Sequence, residues 1–281
     1  MSMMRNILLK SFILFCLAVS AIGCRQPEPL MPKSSAAAGI PAGFVAVFGK
    51  TGADPIVVCG NRTLAEHRFP PCSTFKIVST LMGLDSGVLT GPESRLGYDG
   101  TRYEFAAWNG DLTLREAFRT SCVPYYKKLT GKLDRRTVQK TLDRLNYGNC
   151  DISVWNSNGH NVFWIESSLL ISPLEQLGVL ERIFSGRSGF APGHVELLRE
   201  CMRDGCAGDW TLYGKTGSGR NHNTNRLEGW FVGFAEPADG KPVFFAAHGA
   251  APDRDVNGPE MRQWLREQFS RGFLPPVEPV R

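Results

Sequence analysis

Ser73-Thr74-Phe75-Lys76 places a hydroxyl and an amine three residues apart, at the start of an apolar run from Ile77 to Leu84. Side chains three residues apart lie on the same face of a helix. A backbone N–H in the first turn of a helix lies at the positive end of the helix dipole, where it stabilises an oxyanion. The stretch therefore predicts a helix whose first turn carries a nucleophile, Ser73, and its base, Lys76. Because a lone Ser-x-x-Lys arises by chance about once in a chain of this length, the assignment depends on further motifs.

Five further motifs follow this stretch along the chain. They are Ser121-Cys122-Val123, Tyr147-Gly148-Asn149, Trp164 within Val162-Phe163-Trp164-Ile165-Glu166, Lys215-Thr216-Gly217, and Trp230 within Gly229-Trp230-Phe231-Val232-Gly233. In this order and spacing they resemble the penicillin-recognising serine enzymes, for which Ser-x-x-Lys and Lys-Thr-Gly are signature motifs. The Ser-x-Val and Tyr-Gly-Asn elements are similar to those of the class D branch, the oxacillinases. The resemblance extends from about Gly43 to Phe273.

The pattern of apolar residues predicts an α/β (α+β) fold with an antiparallel sheet flanked by helices. Strands are expected at 44–48, 55–59, 210–213, 229–235 and 243–248, helical segments at 112–145 and 173–204, and a closing helix at 259–269. The first two strands are separated by a short polar turn, which is typical of a hairpin. The resemblance implies a β-lactamase/transpeptidase-like arrangement, with an interleaved all-helical lobe beside the sheet and the site at their junction.

Length and charge limit the classes of function. The chain has 281 residues, of which 42% are hydrophobic and 21% charged, as is usual for a globular protein with a sizeable core. Removal of residues 1–23, whose charged residues are Arg5 and Lys10, lowers the net charge from +5 to +3. So small a basic excess, without a Lys/Arg block, predicts no nucleic-acid partner.

Residues 1–23 are typical of an export signal, because Arg5 and Lys10 precede an apolar run at 12–22. That run is too short to span a bilayer, which takes roughly 20 residues. Ala21-Ile22-Gly23-Cys24 resembles a bacterial lipobox, which implies lipidation of Cys24 and a membrane anchor. Ordinary signal-peptidase cleavage would cut the same bond and leave a soluble periplasmic protein.

The residues after the signal indicate a tethered periplasmic domain. Arg25 directly follows the cysteine, which resembles an outer-membrane address in Gram-negative lipoproteins. Residues 24–42 are rich in proline, serine and alanine and are expected to form a flexible tether. Residues 43–275 are then the catalytic domain.

Six cysteines remain when Cys16 and Cys24 are set aside, and their pairing is open. They are Cys59, Cys72, Cys122, Cys150, Cys201 and Cys206. An exported chain permits disulfides, and Cys201 and Cys206 are near enough in sequence to close a local loop. Cys72, beside the nucleophile, and Cys122, inside the second motif, are candidates for packing thiols, for a disulfide pair or for a peculiarity of this subgroup. The chain contains no Cys-x-x-Cys and its five histidines are scattered, so no metal site is predicted.

Lys-Thr-Gly occurs twice, and chain order distinguishes the two copies. Lys50 precedes Ser73 and lies in the predicted hairpin turn, whereas Lys215 follows a short predicted strand and precedes a polar loop. Both copies also resemble the end of a phosphate-binding loop, but Phe44 and Asp209 stand where that loop requires glycine. The Gly-x-Ser-x-Gly motif of α/β-hydrolases is absent.

Lys76 can act as a base only if burial lowers its pKa from the usual value of about 10.4. Phe75, Val123 and Trp164 are candidates for the apolar surroundings. Class D enzymes carry this lysine as a carbamate, so the resemblance implies N6-carboxylysine at position 76, dependence on carbon dioxide or bicarbonate, and no other cofactor. It also implies that the Trp164 indole donates to the carbamate and that Val123 excludes bulk water from it.

The resemblance assigns the remaining roles at the site. Ser121 would relay a proton to the departing lactam nitrogen, and the backbone N–H groups of Ser73 and Ser218 would form the oxyanion hole. The substrate-binding residues would be Lys215, Thr216, Gly217 and Arg262. An arginine suits that task because its fork binds a carboxylate in two contacts.

Three residues within these motifs are not assigned a chemical step. Tyr147 and Asn149 are expected to shape the wall of the site or to serve a purely structural role. Glu166 does not match the water-activating glutamate of class A enzymes and has no predicted role.

The sequence therefore predicts a periplasmic serine β-lactamase of class D type that hydrolyses penicillin-type antibiotics. A penicillin-binding peptidase would share Ser-x-x-Lys and Lys-Thr-Gly but would stay acylated, and a β-lactam sensor would bind the drug and signal instead of turning it over. The peptidase usually has Ser-x-Asn where this chain has Val123, and the sensor normally hangs from a membrane-spanning signalling region. Ser218 replaces an aromatic residue that several class D enzymes carry, so the preferred β-lactams are not predicted.

Overall fold

The computed structural model describes residues 42–156, 161–238 and 240–272. The expected export signal, the tether and Cys24 lie outside the described residues. The predicted catalytic domain is therefore described as far as residue 272, and its boundaries stay predictions.

A six-stranded antiparallel sheet forms the centre of the described part. Its strands are β1 Phe44–Gly49, β2 Ile56–Cys59, β3 Arg203–Ala207, β4 Trp210–Arg220, β5 Leu227–Pro237 and β6 Val243–Gly249, in the spatial order β2-β1-β6-β5-β4-β3. The predicted first hairpin is confirmed, because Phe48 pairs with Ile56 and Ala46 with Cys59. β6 joins β1 to β5 in the middle of the sheet, so the two ends of the sequence build one layer.

Helices surround this sheet, as the α/β (α+β) prediction requires. They are α1 Arg62–Glu66, α2 Lys76–Asp85, α3 Leu114–Arg119, α4 Val123–Lys132, α5 Arg135–Leu145, α6 Pro173–Phe184, α7 Pro192–Met202 and α8 Gly258–Ser270, with 3₁₀ turns at Cys72–Phe75 and Ala106–Trp108. The segment 62–202 lies between β2 and β3 in the chain and forms the interleaved helical lobe. The predicted helical segments are thus divided, and residues 203–204 belong to β3 instead.

Side chains alternate along each strand, so every strand contributes residues to both faces of the sheet. Both faces are buried. On β1, Val45 and Val47 belong to the core that the sheet shares with the helical lobe. Phe44 and Phe48 belong to a second core on the opposite face, beneath α8. This double burial explains the nearly continuous apolar runs in β5 and β6.

Local sequence signals fix the ends of helices near the site. Thr113 and Glu116 form a capping box that begins α3, and Ser172 and Glu175 form another that begins α6. α5 ends at Asn146, which is left-handed with φ of 47° and redirects the chain into the Tyr-Gly-Asn motif.

The expected short strand at 210–213 is wrong in length, because β4 continues through Lys215 to Arg220. Its glycines mark close approaches and not the end of the strand. A Cβ at Gly217 would lie 3.1 Å from Thr74 Cγ2, and one at Gly214 would lie 2.5 Å from the Phe231 ring. β4 therefore packs closely against the nucleophile turn along the middle of its length.

All six cysteines that the structure describes are free thiols, so the expected Cys201–Cys206 loop is not closed. Burial raises the pKa of the Cys72 thiol to about 12. Burial also raises the pKa of the Cys122 thiol. Both are neutral packing thiols beside the site. Over the same ranges, no cluster of three or more His, Cys, Asp or Glu is arranged to hold a metal ion, and no helix is long and apolar enough to cross a membrane.

Candidate active site

Ser73 lies in the 3₁₀ turn Cys72–Phe75, which runs directly into α2. The turn is held from two sides. Trp230 Nε1 on β5 donates to the Pro70 carbonyl at 3.0 Å, and Gln176 Nε2 on α6 donates to Thr74 Oγ1 at 2.7 Å. Cys72 itself has φ of 49°, a left-handed conformation that non-glycine residues adopt only when their surroundings impose it. The nucleophile is therefore positioned by the sheet and by the helical lobe together.

Lys76 reaches back to the nucleophile, as its spacing predicts. Its Nζ lies 2.6 Å from Ser73 Oγ, and its side chain is fully buried. Burial lowers the pKa of Lys76 well below its usual value, and the nearby positive charge of Lys215 lowers it further. A neutral amine in hydrogen-bond contact with a hydroxyl is the geometry of an activated nucleophile.

Trp164 covers the Lys76 amine. The indole ring lies 4.8 Å from Lys76 Nζ and stacks on Phe75 at 6.2 Å. Its Nε1 is buried without a hydrogen-bond partner among the described residues. A buried donor left unpaired is costly, so this N–H fits an acceptor that would lie beside Lys76. Val123, the first residue of α4, packs against the same core.

The second motif forms the corner between α3 and α4. Ser121 has φ of 55°, and its backbone N–H donates to Phe118 at 3.2 Å. Trp108 Nε1 donates to the Thr120 carbonyl at 3.0 Å and fixes the same corner from outside. Ser121 itself is partly exposed.

Lys215 connects β4 to this corner. Its Nζ lies 5.7 Å from the centre of the Phe118 ring and donates to the Thr216 carbonyl at 3.1 Å. Burial lowers the pKa of Lys215 to about 7. β3 pairs with β4 only as far as Tyr213, so the edge of β4 from Gly214 onward faces the nucleophile turn.

The chain matches known proteins over most of its length. Residues 44–266 match the penicillin binding protein transpeptidase domain family. The chain belongs to this family. The relatives place it in the class D branch: it is 34% identical to β-lactamase OXA-20 of Pseudomonas aeruginosa over 69% of both chains, and 33% identical to OXA-3 of the same species over 84% of this chain and 80% of that one.

Solved structures agree with the class D assignment, which makes the chain a serine hydrolase by family. A class D β-lactamase from Bacillus subtilis has a TM-score of 0.71 at 30% identity, covering 83% of this chain and 93% of that one. FUS-1 (OXA-85) from Fusobacterium nucleatum has a TM-score of 0.70 at 30% identity, covering 81% and 91%. Regulatory protein BlaR1 of Bacillus licheniformis is 35% identical over 77% of this chain, but the chain spans only 35% of its length.

The structure pairs the Arg262 guanidinium with Asp204, whereas the class D resemblance implies that Arg262 binds substrate with Lys215 and Thr216. Arg262 Nε donates to both carboxylate oxygens of Asp204, at 2.7 and 2.9 Å, and Arg266 Nη1 donates to Asp204 at 2.9 Å. The sequence places Arg262 on the last helix, but it does not determine which strand that residue faces. A substrate carboxylate would have to compete with Asp204, so this geometry opposes the predicted role of Arg262.

The Tyr-Gly-Asn motif of this class D chain organises the loop that carries Trp164. Asn149 Nδ2 donates to the Ser168 carbonyl at 2.8 Å, and Asn149 Oδ1 accepts from the Leu170 N–H at 2.9 Å. Gly148 has φ of 56°, and a Cβ there would lie 1.9 Å from the Leu170 oxygen. The Tyr147 ring packs edge-on against Phe75 at 5.5 Å. These contacts support the structural alternative for Tyr147 and Asn149.

Glu166, for which the motifs predicted no role, links this loop to the far end of β4. Its carboxylate accepts a hydrogen bond from the Arg220 backbone N–H, and its carbonyl is hydrogen-bonded to His222 Nε2. No local signal could have found this link, because 54 residues separate Glu166 from Arg220.

Proposed function

We propose that this chain hydrolyses the β-lactam ring of penicillin-type antibiotics through an acyl-enzyme on Ser73. The observation that carries the proposal is the 2.6 Å contact between Ser73 Oγ and the buried Lys76 amine, in a turn against which β4 packs at Gly217. The class D relatives and structures support β-lactam hydrolysis at such a site.

In the acylation step, Ser73 Oγ attacks the lactam carbonyl and its proton passes to Lys76. The backbone N–H groups of Ser73 and Ser218 would stabilise the oxyanion. When the carbon–nitrogen bond of the ring breaks, Ser121 would deliver a proton to the departing nitrogen. Lys215 and Thr216 would bind the substrate carboxylate, with charge-assisted hydrogen bonds.

We further propose that Lys76 acts as N6-carboxylysine. An amine adds carbon dioxide only when it is neutral, and burial favours the neutral form of Lys76 by lowering its pKa well below the usual value. The unpaired Trp164 Nε1 is a donor available to the added group, and Val123 packs against the core to which Trp164 belongs. When present, the carbamate supplies the general base that activates water for deacylation. Carbon dioxide or bicarbonate is then required, and no other cofactor is.

A β-lactam sensor is the second candidate, because the regulatory protein BlaR1 is among the relatives at 35% identity. A sensor or a penicillin-binding peptidase would form the same acyl-enzyme and keep it. The two outcomes differ in the lifetime of the adduct and not in its formation.

Brief exposure to benzylpenicillin is expected to raise the intact mass of the protein by one drug molecule, and the mass should then return to its starting value. Time-resolved intact-protein mass spectrometry, run beside the loss of lactam absorbance, measures both events. A permanent adduct would assign the sensor or peptidase function. Absence of any adduct together with no loss of lactam absorbance would reject the acyl-enzyme proposal.

We also propose that the protein is exported to the periplasm and tethered to the outer membrane by a lipid on Cys24. The lipobox-like Ala21-Ile22-Gly23-Cys24 supports this, and a soluble periplasmic form is the alternative. Cys24→Ser is expected to move the protein from the membrane fraction to the soluble fraction with its hydrolysis unchanged. Fractionation of the native host checks this, and an N-terminal Cys24 with a free thiol in the wild type would refute lipidation.

A further inference from the structure

We propose that Glu166 is a positioning residue, which fastens the loop that carries Trp164 to the end of β4 that carries Ser218. The inference rests on the proposed β-lactamase function and adds to it a residue to which no motif gave a role. Glu166 would act through backbone groups of the site and would not touch the substrate.

Two hydrogen bonds make the connection. One Glu166 carboxylate oxygen accepts from the backbone N–H of Arg220, the last residue of β4. The Glu166 carbonyl pairs with His222 Nε2 at 2.8 Å, in the turn that follows β4. Glu166 has φ of 49°, a conformation that side chains rarely adopt and that persists only where the surroundings hold it.

The packing around Glu166 leaves no room for a side chain at Gly219. A Cβ on Gly219 would lie 2.2 Å from Cys72 Sγ and 3.2 Å from Glu166 Cγ. Cys72, Glu166 and Gly219 therefore lie against one another. The nucleophile turn, the Trp164 loop and β4 meet at this point. This meeting point also accounts for the buried, neutral thiol of Cys72.

The bond to Arg220 has a geometric consequence for the oxyanion hole. In an antiparallel strand, residues two apart direct their backbone N–H groups to the same edge of the strand. The Arg220 N–H points away from β5, toward Glu166, so the Ser218 N–H points to that side as well, where the nucleophile turn lies. By holding Arg220, Glu166 fixes the end of the strand that carries this donor.

The same residue constrains Trp164, which is two positions earlier in the loop. Asn149 holds the loop beyond Glu166, at Ser168 and Leu170. Glu166 binds the same loop to the end of β4, through Arg220 and His222. Loss of the Glu166 acceptor should therefore loosen both the Ser218 donor and the indole over Lys76.

The test compares Glu166→Ala with Glu166→Gln, because glutamine keeps an acceptor oxygen of the same reach and loses only the charge. Glu166→Ala is expected to lower kcat/KM for benzylpenicillin by about 10- to 100-fold, as for a misplaced catalytic donor. Glu166→Gln should stay close to wild type. Glu196→Ala, which removes an exposed carboxylate on α7, is the matched control.

Two results would overturn the inference. Equal activity of Glu166→Ala and wild type would show that the link does not matter, and equal loss in both Glu166 variants would assign a role to the charge. If Glu166→Ala does not fold, His222→Ala decides: removal of this exposed partner should lower kcat/KM and leave thermal unfolding unchanged, and unaltered kinetics would reject the proposal.

The outcome is independent of whether the acyl-enzyme turns over. If the wild type forms only a permanent adduct, the proposed hydrolysis fails, but the rate constant of acylation can still be compared among the variants. A slower acylation in Glu166→Ala, recovered in Glu166→Gln, would then support the positioning role by itself.

Discussion

Ser73→Ala is expected to reduce penicillin hydrolysis by more than about 10,000-fold, because no other group can form the ester that the reaction requires. The variant should bind substrate without any covalent mass increase. Steady-state hydrolysis and intact-protein mass spectrometry measure the two effects. An adduct that survives the substitution would remove Ser73 as the nucleophile.

Ser79→Ala is the matched control for this variant. Ser79 is a buried serine on the same helix, and its hydroxyl donates to the Phe75 carbonyl at 3.1 Å. Its loss removes one local hydrogen bond and no part of the site, so the rate should remain near that of wild type. A large loss in Ser79→Ala as well would attribute the Ser73 effect to disturbed packing of α2.

Lys76→Ala is expected to lower turnover by about 100- to 10,000-fold, the usual effect of removing a general base. Acylation should be slowed and deacylation nearly abolished, so that the acyl-enzyme accumulates. Added bicarbonate should not restore this variant, because it has no amine to carboxylate. Stopped-flow hydrolysis and the lifetime of the adduct report the two steps separately.

Trp164→Phe provides the comparison that distinguishes a carbamate from a plain amine. Phenylalanine keeps the ring against Phe75 and removes only the N–H. In degassed buffer at mildly acid pH, where protonation of Lys76 displaces carbon dioxide, both wild type and Trp164→Phe should lose activity and regain it with bicarbonate, the variant only in part. Equal rates with and without bicarbonate would leave Lys76 as an amine base.

Sequence reasoning succeeded where the chemistry is local. Ser73 and Lys76 are one helical turn apart, so their contact follows from spacing alone, and the motif order then identified the family. The hairpin of β1 and β2 was predictable for the same reason. Each of these features depends on residues close together in the chain.

The features that sequence reasoning missed depend on distant contacts. β4 was expected to end at Tyr213, and only the positions of Thr74 and Phe231 show why glycines lie inside the longer strand. Arg262 lies on the predicted helix, but its partner Asp204 is 58 residues away. The roles of Asn149 and Glu166 likewise depend on how one loop lies against the sheet.

The nearness of the two buried lysines has a consequence for charge balance inside the site. While Lys76 is an uncarboxylated amine, the positive charge of protonated Lys215 disfavours protonation of Lys76. On the proposed mechanism, carboxylation gives Lys76 a negative charge, and protonated Lys215 then becomes its counter-ion. Carbon dioxide uptake at one lysine and proton uptake at the other are then thermodynamically linked, and each favours the other by the same factor.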